Sequence, residues 1–300
     1  MKVFVTGATG FIGTAVVQEL LANGHQALGL ARSEESAQKL IDAGAEAHHG
    51  DLTDFESLKS GASVSDAVIH LGFVHDFTRF EEMCALDKKV IESIGETLVG
   101  TDKPFLITSG TALFSKNGIT TEKDLNSANP HPRIATENAA DEVAAKGVKV
   151  AVIRLSPSVH GEGDKIGFVP LLINIAREKG VSAVINEGNN FWPTVHRLDA
   201  AKLYRLALEK PFEKGTRYHA VAEQGIPLKK IATEISERLN IPLVSLNSEE
   251  AAEHFSWFTH FAKLDNQTSS EETRKTLNWN PQHPILLEDL KGSVYFSEIQ

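Results

Sequence analysis

The sequence predicts an α/β fold, a doubly wound parallel sheet followed by a smaller C-terminal region. Three observations carry that expectation. Between Lys2 and Leu155 short β-branched runs alternate with amphipathic stretches, the order that builds a parallel sheet covered by crossover helices. A glycine-rich turn joins the first run to the first amphipathic stretch. Beyond Leu155 the alternation loosens into a loop over 156–167, rich in Gly, Pro and Asp, and then into pieces with no repeat.

Six strands are expected, over Lys2 to Thr6, Gln26 to Ala31, Glu46 to Gly50, Ala67 to Leu71, Pro104 to Ser109 and Val148 to Leu155. The first helix aligns Ile12, Val16 and Leu20 on one stripe, and Asn23-Gly24 supplies its stop. Right-handed crossovers then place ligands at the carboxyl ends of the strands. In the second region helices are expected over Val169 to Lys179, Asp199 to Glu209, Leu228 to Leu239 and Glu249 to Phe261. The division reads as 1–160 for the sheet domain and 161–300 for the second region, with a segment near 190–210 returning to the main sheet.

Thirty basic against 40 acidic side chains give a formal charge of −10, which disfavours nucleic acid and anionic membrane surfaces as partners. No run approaches the roughly 18 apolar residues of a membrane span. The N-terminal stretch MKVFVTGATGFIG lacks the long apolar core of a secretory signal, so the fold is expected to begin there. Cys84 is the single cysteine, which excludes an intrachain disulfide and suits a reducing cytoplasm. His48 and His49 are adjacent on an expected strand and face opposite ways, and no HExxH helix is present; no metal site is expected. GxSxG, the signature of a serine hydrolase elbow, is also missing.

The strongest local signal is Thr6-Gly7-Ala8-Thr9-Gly10-Phe11-Ile12-Gly13. Gly7 permits a sharp turn, Gly10 lets backbone approach a pyrophosphate and Gly13 lets the helix pack close to the sheet. The N–H groups near Thr9, Phe11 and Ile12 would face the phosphates at the positive end of the helix dipole. This is a dinucleotide turn in a Rossmann-type setting. After the second strand, where a carboxylate would hold a ribose 2′-hydroxyl, the chain reads Ala31-Arg32-Ser33. Arg32 and Ser33 suit a 2′-phosphate, so NADP(H) is the expected cofactor. NAD(H) remains the alternative, because Glu34 and Glu35 are close enough to compete for Arg32.

These motifs, with Gly50-Asp51-Leu52, His70-Leu71-Gly72, Arg154 to Gly161 and Val195 to Ala201, together resemble the extended short-chain dehydrogenases/reductases, the NAD-dependent epimerase/dehydratase superfamily. The resemblance implies that Asp51 and Leu52 flank the adenine. It places Leu71 and Gly72 by the ribose and pyrophosphate, and Pro157 and Val159 by the nicotinamide. It also implies a catalytic tyrosine and a lysine four residues later, yet that register reads Arg133-Ile134-Ala135-Thr136-Glu137. A guanidinium has no proton to lose near neutral pH, and a glutamate would raise a neighbouring phenol's pKa. By this resemblance the chain is an atypical branch that lacks the usual proton relay.

Ser109 or Thr111, after the fifth strand, is then the candidate hydroxyl for polarising a substrate oxygen, and His131 or His160 the candidate acid/base near pH 7, with His196 close behind. Phe73, His75, Phe77 and Phe80 would form a wall over the ligand or pack beneath the next helix. Two functions follow as expectations. One is an NAD(P)(H) oxidoreductase acting on a small carbonyl or hydroxyl compound, with a homodimer left open; the other is a cofactor-binding sensor without turnover.

Overall fold

The computed structural model describes residues 1–125 and 130–296. In chain order the first half runs β1 (Lys2–Thr6), α1 (Phe11–Ala22), β2 (Gln26–Ala31), α2 (Glu34–Asp42), β3 (Glu46–His49), α3 (Phe55–Ser63), β4 (Ala67–His70), α4 (Phe80–Leu98), β5 (Phe105–Gly110), α5 (Ile134–Ala145) and β6 (Val150–Leu155). The second half runs β7 (Ser158–His160), α6 (Phe168–Lys179), β8 (Ser182–Ile185), β9 (Phe191–His196), α7 (Arg197–Glu209), β10 (Thr216–Ala220), β11 (Glu223–Pro227), α8 (Leu228–Leu239) and β12 (Leu243–Leu246). It closes with α9 (Ser248–Phe255), α10 (Thr259–Ala262), α11 (Glu271–Leu277) and α12 (Leu286–Lys291).

Seven strands form one parallel sheet in the order β10-β6-β5-β4-β1-β2-β3. The order reverses at β1, so the crevice for a ligand opens at the carboxyl ends of β1 and β4. One face buries Val3, Val5, Val16, Leu20, Leu203 and Tyr204; the other buries Phe4, Leu58, Val90, Ile94, Phe105 and Val143. Each such fully buried aliphatic or aromatic side chain contributes about 1.5–3 kcal/mol. These strands alternate between two covered faces, and both sides therefore read as apolar runs.

The two halves interleave. β7 lies before the expected boundary at 160, yet it joins β9 and β11 in a small separate sheet. In the segment near 190–210, α7 packs on α1, while the strand that extends the main sheet lies further on, at β10. A third core, with Trp192, Ile231, Phe255, Phe258 and Leu286, holds the second region together. The continuous helix expected over Glu249 to Phe261 is broken: Ser256 takes a left-handed φ of 51° between α9 and a short 3-10 turn. The break turns Phe258 fully into the third core while Trp257 remains exposed.

Candidate functional site

The turn after β1 is built from backbone. Gly7 has φ +68°, and a Cβ there would lie 2.7 Å from Gly72 N; a Cβ on Gly13 would fall 1.9 Å from Gly7 O. Both glycines are required by close packing. Gly10 differs, because a Cβ there would meet only Gly7 O, at 3.2 Å. Gly10 is the N-cap of α1, with no side-chain cap and no acidic residue in the first turn. The first N–H groups of α1, at Phe11, Ile12 and Gly13, have no carbonyl one turn earlier to bind. Bare donors, an open glycine and the dipole fit a diphosphate.

A residue that the motif reading missed completes this end. Arg197 opens α7, and its guanidinium lies 5.3 Å over the Phe11 ring, with Nε buried and unpartnered. Its signal was available, since it sits inside the quoted Val195 to Ala201 segment, but nothing in one dimension brings it to the glycine turn. Phe11 thus carries a cation over its face beside the α1 N-terminus, where a phosphate charge would be balanced.

At the adenosine end Glu35 pairs with Lys39 at 2.7 Å and Glu34 lies 3.9 Å from His49. Neither holds exposed Arg32. Ser33 caps α2, its Oγ accepting from Ser36 N at 3.2 Å. Asp51 is held below the usual carboxylate range by the Thr53 hydroxyl and N–H, with Arg32 adding a smaller pull. Leu52 packs against Gly72, and Leu71 is half-buried at the end of β4. Pro157 and Val159 are half-buried beyond β6, with Val159 paired to Val195 in the small sheet.

The two residues in the relay register are both engaged in ion pairs. Glu137 is buried and accepts from Arg154 Nε and Nη2 at 2.8 and 3.0 Å and from Arg217 Nε at 3.2 Å. Burial alone would raise its pKa, but Arg154 and Arg217 outweigh it and hold the carboxyl below its ordinary value. Arg133 reaches across to α4, where its Nη1 donates to Asp87 Oδ2 at 2.5 Å; it also contacts Thr136 Oγ1. Asp87 in turn lies 3.0 Å from His70 Nε2, and His70 Nδ1 lies 2.6 Å from Thr6 Oγ1, which accepts from Gly72 N at 3.1 Å. Because the Asp87 carboxylate can only accept, His70 Nε2–H donates to it, and in that neutral tautomer Nδ1 is left to accept the Thr6 hydroxyl proton. A single directed chain therefore runs from the dinucleotide turn to Arg133. Burial would raise the Asp87 pKa, but Arg133, His70 and Thr136 bring it down to about 2.

The catalytic candidates do not converge. Thr111 is fully buried and donates to Asn266 Oδ1 at 2.8 Å, so its hydroxyl joins β5 to the second region rather than facing a ligand. His160 is likewise turned inward rather than toward a ligand: it is buried, with Nδ1 2.6 Å from Asp289 Oδ2 and its ring against His196. Ser109 Oγ is buried without a partner of good geometry, beside the Glu137 carboxylate that it helps keep ionised. Only His131 stays at the aromatic wall, its ring 5.7 Å from Phe80. Burial, then His260 and Arg133, push its pKa down. Phe73 packs on the Arg133 guanidinium at 4.0 Å and edge-on to His75 and Phe80; the side chain of Phe77 lies outside the described residues. A separate hollow of about 450 Å³ beside Phe212 and Tyr218 lines the amino-end half of β10, away from the glycine turn.

Comparison with known proteins agrees with this geometry. The chain is 50% identical over 297 residues to an uncharacterized protein of Schizosaccharomyces pombe, covering 99% of this chain and 100% of that one. A 2-alkyl-3-oxoalkanoate reductase of Stenotrophomonas maltophilia is 26% identical over 261 residues, covering 81% and 77%. The fold matches a UDP-glucuronic acid 4-epimerase from Bacillus cereus, in complex with UDP-glucuronic acid and NAD, with TM-score 0.77 at 16% identity over 99% of both chains. Residues 3–221 match the model of the NAD dependent epimerase/dehydratase family. With its glycine turn, sheet order and full-length likeness, the chain belongs to the NAD dependent epimerase/dehydratase family.

Proposed function

We propose that the protein is an NADP(H)-dependent oxidoreductase that interconverts a small carbonyl compound and its alcohol in the cytoplasm, through a site that does without the tyrosine and lysine. The observation that carries this reading is the cationic cradle at both ends of the cofactor crevice. The α1 N–H groups and Arg197 fit the diphosphate, and Arg32, with neither Glu34 nor Glu35 paired to it, fits a 2′-phosphate. The reductase name of the Stenotrophomonas relative supports the reaction class. A bound nicotinamide supplies a hydride acceptor or donor at C4. The chain's own part is to orient that ring near Pro157 and Val159 and to hold the substrate oxygen.

The test compares NADP(H) with NAD(H) by thermal shift and follows reduced-nicotinamide absorbance across aldehydes, ketones and quinones. NADPH should stabilise the protein more than NADH, and Arg32→Glu should weaken NADPH about 10- to 100-fold, the worth of lost charge-assisted hydrogen bonds. Equal stabilisation by both cofactors in both proteins removes the NADP(H) assignment; tight NADPH binding without turnover removes the enzyme.

The commitment of Glu137 to two arginines favours a second reading, a cofactor sensor without chemistry. A sensor must bind NADP+ and NADPH with different affinities, since a pair bound equally well shifts no equilibrium. Equal dissociation constants by calorimetry would exclude it.

A further inference from the structure

A guanidinium carries five N–H groups. In Arg133, Nη1 is occupied by Asp87 and Thr136, and Nη2 reaches Thr108 O at 3.4 Å. Nε–H has no partner among the described residues, and Nη2, on the same edge of the plane, has only the long contact to Thr108 O. Nε is not one of the polar atoms buried without a partner, and the side chain is 17% exposed. Nε is therefore open to solvent, with Nη2 beside it held by that one long contact. The molecule itself shows what such an edge receives: Arg154 uses Nε and Nη2 to hold both oxygens of Glu137.

The edge is also held in place. Asp87 grips the opposite side of the guanidinium, His70 and Thr6 fix Asp87, and the Phe73 ring covers one face at 4.0 Å. A planar fork whose rotation is blocked loses little entropy on binding a matching pair of acceptors. Phe73, His75 and Phe80 supply an aromatic wall beside it. A single neutral carbonyl oxygen would use only half of this fork.

We propose that the Nε/Nη2 edge of Arg133 receives two coplanar oxygens of the substrate, so that the substrates are carbonyl compounds bearing a second oxygen next to the reacting carbon: 2-oxo acids or vicinal dicarbonyls. This rests on the oxidoreductase reading and narrows it. In the reductive direction the carbonyl carbon gains a hydride from NADPH, its oxygen gains a proton from water, and NADP+ and the 2-hydroxy compound are released. Arg133 touches the substrate; Asp87 and His70 are positioning residues.

The experiment measures kcat/KM with NADPH for 2-oxobutanoate, 2,3-butanedione and butanal, in the wild type and in Arg133→Lys, together with calorimetric binding of oxamate and of acetamide to the NADP+-loaded wild type and variant. A two-oxygen substrate should exceed butanal by about 30-fold, the value of a bidentate charge-assisted pair; which of the two leads tells the carboxylate from the diketone. Arg133→Lys should collapse that ratio, mainly through KM, while NADPH affinity holds, because a lysine keeps the charge but not the fork. Oxamate should bind the wild type, bind the variant about 30-fold more weakly, and outcompete acetamide. A general fall in kcat/KM with the ratio preserved would mark Arg133 as merely structural and overturn the proposal. Turnover without preference for two oxygens overturns it while the oxidoreductase reading stands. If no carbonyl is turned over but oxamate binding depends on Arg133, the reductase fails and the oxygen-pair site remains. Should the variant not fold, failure of the wild type to prefer oxamate over acetamide is enough to sink the idea.

Discussion

Glu137 and Arg154 form a two-pronged buried ion pair, at 2.8 and 3.0 Å, in the register where the family resemblance implies a lysine. The carboxylate that replaces the lysine faces β6 and β10 rather than the cofactor crevice. Arg154 is fully buried and stacks on the Phe114 ring at 3.6 Å, and Arg217 closes the other side of Glu137 while holding Asp141 at 2.7 Å. The substitution thus turned a reactive position into a tie between α5, β6 and the edge strand β10.

Removing one partner of a buried pair leaves the other charge without compensation, a loss of about 3–5 kcal/mol. Glu137→Lys, which restores the expected residue type, should therefore lower the melting temperature sharply by setting three cations together, and should yield no gain in carbonyl turnover. Calorimetric melting with an NADPH oxidation assay checks it. A stable, more active variant would show that Glu137 is not the tie described.

Gly10 and Gly13 should respond differently to alanine. At Gly13 the added Cβ falls 1.9 Å from Gly7 O, whereas at Gly10 it meets only that oxygen at 3.2 Å. Gly13→Ala should unfold or strongly destabilise the protein, by about 1–3 kcal/mol or more for an overpacked contact. Gly10→Ala should melt within a few degrees of the wild type yet bind NADPH at least about tenfold more weakly, by placing a methyl where the diphosphate approaches the backbone. Melting curves with and without cofactor separate the two effects.

The contrast between β1 and β10 shows what the sequence could convey. β1 and its neighbours carry apolar runs because both faces of the sheet are covered, and the glycine turn announces its own geometry. β10 reads Thr-Arg-Tyr-His-Ala, and its Arg217 and His219 are buried only because Glu137, Asp141, Ser269 and Arg154 satisfy them from elsewhere. No local period encodes such partners, which lie 50 to 80 residues away. The same holds at the site. Gly7, Gly10 and Gly13 were legible; Arg197 beside Phe11 and the Thr6–His70–Asp87–Arg133 chain were not, and Thr111 and His160 looked available only because Asn266 and Asp289 are distant in sequence.

Asp87 ties stability to acid pH. Its folded pKa is lowered to about 2, against about 3.9 in an unfolded chain. The unfolded state binds more protons in that interval, so the contribution is complete above about pH 4 and disappears as the pH falls toward 2. Asp87→Asn should be destabilised at neutral pH and show a shallower loss of stability between pH 4 and 2 than the wild type. Denaturant melts at stepped pH measure this; parallel curves for the two proteins would mean that Asp87 does not carry the charge assigned to it.

His196 acts in the same direction at higher pH. Burial, then the neighbouring His160, lower its pKa to about 4, while its ring stacks on His283 at 5.0 Å and its Nδ1 accepts from Leu198 N as the N-cap of α7. An unfolded histidine takes up its proton near pH 6.5; between that value and 4 the unfolded chain binds the extra proton, and stability falls as the solution is acidified through this window. His196→Asn keeps a capping oxygen for Leu198 N but removes the titration. Its melting temperature should drop less than that of the wild type between pH 7.5 and 5, and because α7 begins with Arg197, NADPH affinity at pH 5 should also be better retained. Identical pH profiles for melting in both proteins would show that His196 takes up its proton alike in the folded and unfolded chain, contrary to its packing.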